Sequence, residues 1–361
     1  MYIRKLQLKY FRNYSLLELE LGQGICIFVG QNAQGKTNLL ESCCLVSMAR
    51  SHRTSRDRDM IGFEKDVARA RVECVERDGV HTVEIVLTHS ERKRITVNGL
   101  PCKRVGDMMG QIKTVVFSPE DLDIIKNGPA VRRRFIDIYL SQVFPVYFYQ
   151  LSKYLQVLQQ RNELLKKMAF GGDEASLDVF DELLADAAMP IIKCRRKFIK
   201  RLDPICNGVH SSLSGMTESL EIIYSPGCDE DKEKMLLSLK NTRQGDIKRG
   251  ATHFGPHHDD IAIKLNGVDL RFYGSQGQQR TAALSLKLGQ LNLMKQDIGE
   301  SPILLLDDVM SELDPTRQKH LLEHLSDMQT IITTTHLVGE LANVKNAAVY
   351  NVKNGNITKT R

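Results

Sequence analysis

Tryptophan is absent from the 361 residues, and aromatic residues make up only 6% of them. That argues against base stacking as a main mode of nucleic-acid binding. Eight cysteines are scattered at Cys26, Cys43, Cys44, Cys74, Cys102, Cys194, Cys206 and Cys228, with no C-x-x-C pair among them. Neither a zinc site nor a redox dithiol is indicated. Cys26 lies in an apolar strand pattern, and Cys43 and Cys44 lie in an apolar helix pattern, which fits thiols kept reduced. No apolar run approaches the roughly 18 residues of a membrane span. The start, MYIRKLQLKYFRNY, has no apolar signal core. A soluble cytoplasmic protein is expected. Neither repeats nor low-complexity tracts are evident. A large excess of charge of one sign is lacking: 50 basic and 44 acidic side chains leave a net +6. That excess suits a polyanion partner or a solubilising surface equally well.

What is present is an ordinary apolar content of 42%, enough for one large core or two smaller domains. IRKLQLKYF, LLELELGQ and ICIFV read as strands within residues 2–29. Alternation returns in VARARVECVE, HTVEIVLTH and RKRITVNG, where Asn98-Gly99 marks a hairpin, and again in IKTVVF. From about 120 to 240 the apolar spacing turns helical, with Gly171-Gly172-Asp173 separating two helices. The longest periodic stretch is about twenty residues, short of the sustained heptads that a coiled-coil arm needs. From 250 strands return in DIAIKLNGVDLRF, with an Asn266-Gly267 turn, then a helix, PILLLDD, a further helix and TIITTTH. The expected architecture is α/β. An N-terminal ATPase part spans 1–120, an inserted helical lobe 121–245 and a C-terminal ATPase part 246–361.

GQNAQGKT, directly after ICIFV, fits G-x-x-x-x-G-K-S/T with a strand before it and an apolar helix, NLLESCCLVSMA, after it. Gly30, Gln31, Asn32, Ala33, Gln34, Gly35, Lys36 and Thr37 would form a phosphate cradle for ATP. Its glycines let backbone N–H groups wrap the phosphates, and the helix N-terminus adds its dipole. Lys36 would reach the β- and γ-phosphates, and the Thr37 hydroxyl would bind Mg²⁺. A plain Gly-rich turn is the alternative. PILLLDD reads as a buried parallel strand delivering two carboxylates to its C-terminal edge. Asp307 would hold Mg²⁺ through water, and Asp308 would orient or activate the attacking water.

SQGQQR, at 275–280, opens a helix on whose one face Leu284, Leu288 and Leu291 fall. Ser275, Gly277, Gln278 and Gln279 there form a second anion site at a helix N-terminus. One nucleotide does not need two such ends from one chain, but two facing chains would each supply one. That points to a homodimer with ATP sandwiched between; an ordinary N-cap turn is the alternative. SELD follows the Asp pair, and His336 ends TTTH, placed to sense a γ-phosphate or help orient water.

The order of cradle, Ser-x-Gly-Gln turn, Asp pair, SELD and His resembles ABC-type head ATPases, the group that includes cohesin- and condensin-like (SMC) proteins. LQLKYFRNY, FSPEDLDIIKNGPAVRRRFID, THFGPHHDD, SQGQQR and LLLDDVMSELD are similar to the bacterial RecF family, over nearly the whole chain. The resemblance implies a P-loop ATPase head with an antiparallel β subdomain and no long coiled coil. It implies ATP-dependent DNA binding on gapped, duplex or junction DNA, dimerisation on ATP with Mg²⁺, and slow hydrolysis. It implies work with RecO and RecR in loading RecA, and support of the SOS response. Asp308 stands where many head ATPases carry Glu, about 1.5 Å shorter in reach. Gln276 stands where transporters often place Gly, and no Leu precedes Ser275. His258 stands where Arg is expected in the family. No counterpart of the glutamine loop is evident, and Ser118 or Glu120 of FSPEDL are the candidates.

Candidate DNA contacts are diffuse. Arg50, His52, Arg53, Arg56 and Arg58 follow the cradle helix, and Lys93, Arg94, Lys103 and Arg104 flank the Asn98-Gly99 hairpin. Arg132, Arg133 and Arg134 form a third group, with pairing to internal acids as the alternative, and KCRRKFIKR a fourth. His253, His257, His258, Asp259 and Asp260 are loosely spaced and no Cys assists, so a turn packed near the nucleotide interface is expected there, with structural zinc as the alternative. The rival readings are a non-hydrolysing nucleotide-gated scaffold and the ATPase subunit of a membrane transporter.

Overall fold

A computed structural model describes residues 1–168, 175–323, 325, 327–337, 339–344 and 346–361. The Gly171-Gly172-Asp173 break lies outside them. By its internal contacts the chain forms two compact units, Met1–Asp121 with Gln290–Arg361, and Leu122–Gly289. Residues 246–289, which the spacing assigns to the C-terminal ATPase part, group with the second unit. Among the described residues, no helix is long and apolar enough to cross a membrane.

The first unit opens with β1 (Tyr2–Phe11), β2 (Tyr14–Glu20), β3 (Ile25–Val29), α1 (Lys36–Met48), β4 (Val67–Glu76), β5 (Gly79–Thr88), β6 (Arg94–Val97), β7 (Leu100–Pro101) and β8 (Thr114–Phe117). The second contains α2 (Asp123–Lys126), α3 (Pro129–Val143), α4 (Pro145–Met168), α5 (Ala175–Leu213), β9 (Leu220–Ser225), α6 (Lys232–Arg249), β10 (Asp260–Leu265), β11 (Val268–Asp269) and α7 (Leu270–Tyr273). Helix α8 (Gln276–Ile298) leads back to β12 (Ile303–Asp307), α9 (Pro315–Glu323), β13 (Thr330–Thr334), β14 (Ala348–Lys353) and β15 (Asn356–Lys359).

Two sheets build the first unit. One has the order β2-β1-β4-β5-β6-β7 and is antiparallel throughout. The other has the order β15-β14-β3-β13-β12-β8, parallel except at β15. Ile303, Leu304, Leu305 and Leu306 are all fully buried, as a run apolar on both faces demands of a central parallel strand. Each such side chain contributes roughly 1.5–3 kcal/mol by leaving water. Helix α1 is buried all round from Leu39 to Met48. It packs on β8, β12 and β13 of the parallel sheet and on β4 and β5 of the antiparallel one, so no polar face is needed. The Asn-Gly turns behave as their chemistry dictates: Asn98 and Gly99, and Asn266 and Gly267, all take positive φ.

Three expectations need correction in the second unit. The longest helix is not about twenty residues: α5 runs 39, about 58 Å, through Pro190 and Pro204. Its packing on α3, α4, α6 and β9 outweighs the hydrogen bond each proline removes. The stretch read as wholly helical contains β9, which pairs antiparallel with β10 in a three-stranded sheet. The strand expected through DLRF ends at Asp269: its side chain accepts a hydrogen bond from Arg271 N (2.9 Å), and Leu270 starts the short helix α7.

Candidate nucleotide-binding site

The loop between β3 and α1 is shaped by close backbone approach. A Cβ on Gly30 would lie 2.3 Å from Val352 O, and one on Gly35 would lie 2.6 Å from Asn13 Nδ2. Gly35 has φ +114, which L side chains rarely adopt. Ala33 also takes positive φ, at 63°, a conformation held only if neighbours over-determine it. They do. Asn13 Nδ2 and Gly355 N both donate to Gln34 O (3.0 and 3.1 Å), Asn354 N donates to Gln34 Oε1 (2.7 Å), and Tyr14 OH donates to Gly35 O (3.0 Å). Gln31, Asn32 and Ala33 stay exposed at the rim.

Lys36 is 7% exposed and folds across the loop, donating to Gly30 O (2.6 Å) and Gln31 O (2.9 Å). Burial lowers its pKa, against the opposing pull of Asp308 and Asp307. Thr37 Oγ1 donates to Asp307 Oδ1 at 3.0 Å, and Thr333 Oγ1 donates to the same oxygen at 2.7 Å. Asp308 turns the chain with φ 53, its N–H bonded to Thr333 O (3.2 Å) and Oγ1 (3.1 Å). Its Oδ1 is shielded from solvent and has no hydrogen-bond partner. A buried acceptor left open costs about 1–3 kcal/mol, so the site fits a group that would complete it. Thr37 and Asp307 supply the hard oxygen donors that Mg²⁺ prefers.

Strand order explains the convergence. β8, β12, β13 and β3 are neighbours and parallel, so Ser118, Asp307, His336 and the cradle all follow C-terminal strand ends on one sheet edge. His336 is exposed, two residues beyond β13, and its carbonyl accepts from Thr334 Oγ1 (3.0 Å). Glu120 is exposed as well.

The Ser275 turn is built within the second unit. Ser275 N donates to Gln278 Oε1 (2.9 Å) and Gln278 N to Ser275 Oγ (3.3 Å), a reciprocal cap on α8. Gln279 is buried and donates to Leu270 O (3.1 Å) and Arg271 O (3.3 Å). A Cβ on Gly277 would meet nothing closer than Ser275 Oγ at 4.0 Å, so this helix end is open to an approaching group.

Several supporting residues escaped the sequence reading. Arg12 clamps the fully buried Glu41 with two bonds, Nε to Oε2 (2.8 Å) and Nη2 to Oε1 (2.7 Å). Burial raises the Glu41 pKa, but the hydrogen bonds from Arg12 and Ser51 outweigh it and hold the carboxyl below its ordinary value. The available signal was a lone acid inside the apolar run of α1. Asn13 and Thr333 carried no local signal, because their partners are distant in sequence.

The basic candidates divide. Arg50, Arg56, Arg58, Arg94, Lys103 and Arg104 are exposed. Arg53, also exposed, donates to Asn38 Oδ1 (3.1 Å), and Lys93 is tied to Ala49 O (2.5 Å) and Asp57 (3.0 Å). Arg132 pairs with Asp260 and Arg133 donates to Asp259 O, so both serve the interior. Arg195, in the fourth group, is buried against Asp137 (2.9 Å) and Asp259 (2.7 Å). Both His257 ring nitrogens are engaged, by Tyr154 OH (2.5 Å) and Thr252 O (2.9 Å), and His253 Nδ1 is 3.0 Å from Asp246 Oδ1.

Comparison with known proteins agrees with this geometry. The family model described as RecF/RecN/SMC N terminal domain matches residues 2–358. The chain is 43% identical over 371 residues to the DNA replication and repair protein RecF of Shouchella clausii (strain KSM-K16), covering 99% of this chain and 100% of that one. It is 42% identical over 361 residues to the protein of the same name from Lachnospira eligens, covering 99% of each. A solved structure of the recombination mediator protein RecF with ATP, in the RecFOR pathway, matches with TM-score 0.93 at 37% identity, over 100% of this chain and 98% of that one. A Pyrococcus furiosus Smc head domain matches with TM-score 0.58 at 16% identity, over 99% of this chain and 96% of that one, a likeness of fold alone. With its P-loop head, antiparallel β subdomain and helical insert, and with no long coiled coil among the described residues, the chain belongs to the RecF family.

Proposed function

We propose that this chain serves DNA replication and repair in the cytoplasm as an ATP-gated DNA-binding protein. The carrying observation is the meeting of Lys36, Thr37, Asp307 and Asp308 at one sheet edge, with Asp308 Oδ1 buried and unpaired. Gly30 to Thr37 hold the phosphates. Lys36 leaves Gly30 O and Gln31 O to pair with the β- and γ-phosphates. Thr37 and Asp307 hold Mg²⁺, which neutralises charge on the phosphates when bound. Asp308 orients the attacking water and takes its proton, aided by His336. Its short reach makes turnover slow, and hydrolysis is weak.

In this reading ATP acts as a switch. Ser275, Gly277, Gln278 and Gln279 meet the terminal phosphate of a second copy, closing a homodimer on gapped, duplex or junction DNA. Exposed Arg50, Arg56, Arg94, Lys103 and Arg104, with Arg53 and Lys93, contact phosphates there. Hydrolysis releases the DNA. Relatives named for the RecFOR pathway support RecO and RecR as partners; a part in loading RecA and support of the SOS response belong to the same proposal. The division into an ATPase part at 1–120 and 246–361 and a helical lobe at 121–245 belongs to the same proposal as a division by role, since residues 246–289 group by contacts with the second unit.

The test is retention of gapped DNA with ATP–Mg²⁺, ADP–Mg²⁺ or no nucleotide. Retention that needs ATP, and is lost in Lys36→Met, supports the reading. Equal retention in all three conditions contradicts it.

A further inference from the structure

His52 sits in the basic stretch after α1, yet its environment is not that of a surface DNA contact. Ser51 Oγ donates to Glu41 Oε1 (2.5 Å) and accepts from the backbone N–H groups of Arg53 (2.9 Å) and Thr54 (3.2 Å). The turn holding His52 is thereby fastened to Glu41. Glu41 lies four residues after Thr37, so both occupy one face of α1. Thr37 on that face bonds Asp307. The Arg53 guanidinium donates to Asn38 (3.1 Å) and lies 3.8 Å from Glu41.

Both ring nitrogens of His52 are shielded from solvent, and neither has a hydrogen-bond partner. A neutral imidazole carries one donor and one acceptor, and buried polar groups of this kind are nearly always paired. Burial favours the neutral ring, lowering its pKa, while the acids acting on it most strongly are Asp307, Glu41 and Glu120, from three different segments. Asp307 marks the Mg²⁺ side of the cradle, where the β- and γ-phosphates would meet it.

We propose that His52 is a terminal-phosphate contact, its ring N–H donating to a terminal phosphate oxygen of ATP held in the cradle of the same chain. This rests on the ATP-binding reading above and adds to it a residue that separates ATP from ADP. A loss of the terminal phosphate leaves the ring unpaired again, so the chain registers hydrolysis at the turn that Ser51 pins to α1.

The test is calorimetric titration of the full chain with Mg²⁺–ATPγS and with Mg²⁺–ADP, for the natural chain, His52→Ala, His52→Asn and Lys36→Met. His52→Ala should weaken ATPγS about tenfold and leave ADP within about twofold, as loss of one charge-assisted hydrogen bond requires. His52→Asn, which keeps an N–H donor, should recover part of that loss. In ring-¹⁵N-labelled protein, the His52 resonance, assigned by its absence in His52→Asn, should move with ATPγS and not with ADP. Equal effects on both nucleotides, or no effect, overturn the proposal, as does a still His52 resonance. If the natural chain binds ATPγS and Lys36→Met does not, such a result sinks His52 alone. If the natural chain binds no ATPγS, the ATP reading falls as well. Unchanged ATPγS affinity with lost DNA retention would return His52 to the DNA surface.

Discussion

Thr37 and Asp307 are 270 residues apart in sequence and 3.0 Å apart in space, hydroxyl to carboxylate. The pair joins the start of α1 to the end of β12, and Thr333 braces it from the strand between. Asp307→Asn keeps the shape and removes the charge. It should lower Mg²⁺ affinity in the presence of ATP by about 10–100-fold, read by Mg²⁺ titration. Thr37→Ala leaves Asp307 its Thr333 bond, so the nucleotide-free chain should lose only about 1 kcal/mol in denaturant unfolding.

Asp308 is held at positive φ with an unpaired, buried oxygen, a local cost that the fold sustains. Asp308→Asn should therefore raise the melting temperature of the nucleotide-free chain. The same substitution should slow single-turnover hydrolysis by about 100-fold or more while ATP still binds. A melting temperature that falls, with hydrolysis unchanged, would remove Asp308 from its assigned role.

Arg195 is the centre of a buried network in the second unit. It bonds Asp137, Asp259, Tyr147 OH (3.0 Å) and Pro256 O (2.6 Å). Removing it strands two carboxylates, so Arg195→Ala should cost about 3–5 kcal/mol in chemical denaturation. Lys232→Ala, which breaks exposed pairs with Glu182 and Asp186, should leave the unfolding midpoint where it was.

His257 gives a pH dependence. Burial pushes its pKa down to about 4, from an ordinary value of 6.5. Between those values the unfolded chain binds the proton and the folded chain does not. Stability should therefore fall as pH drops from about 6.5 to about 4, by roughly 3 kcal/mol from this residue, and level off below. His257→Gln should flatten that part of the stability profile, and the His257 ring should stay neutral by NMR at pH 5.5.

The sequence was most legible where the chemistry is local. The strand, GQNAQGKT and α1 are contiguous, and PILLLDD carries its buried-strand pattern and its acids together. The Asn-Gly turns needed only their own φ preferences. What distant partners decide was not legible. β9 is a strand because β10, forty residues on, pairs with it. Two prolines hid the length of α5, and the Asp269 cap turned the residues after it into helix. Lys93 looks like a free cation in sequence, and only the fold shows the acid that holds it; for Arg132 the fold decides for pairing, with Asp260.

The central claim is that ATP closes two chains on each other. Light scattering of the full chain tests it most directly, with ATP–Mg²⁺ and with ADP–Mg²⁺, for the natural chain, Lys36→Met and Ser275→Arg. The account predicts a dimer with ATP alone, and monomers with ADP and in both variants. A monomer under every condition, or a dimer indifferent to nucleotide, would contradict it and leave the Ser275 turn as no more than a helix cap.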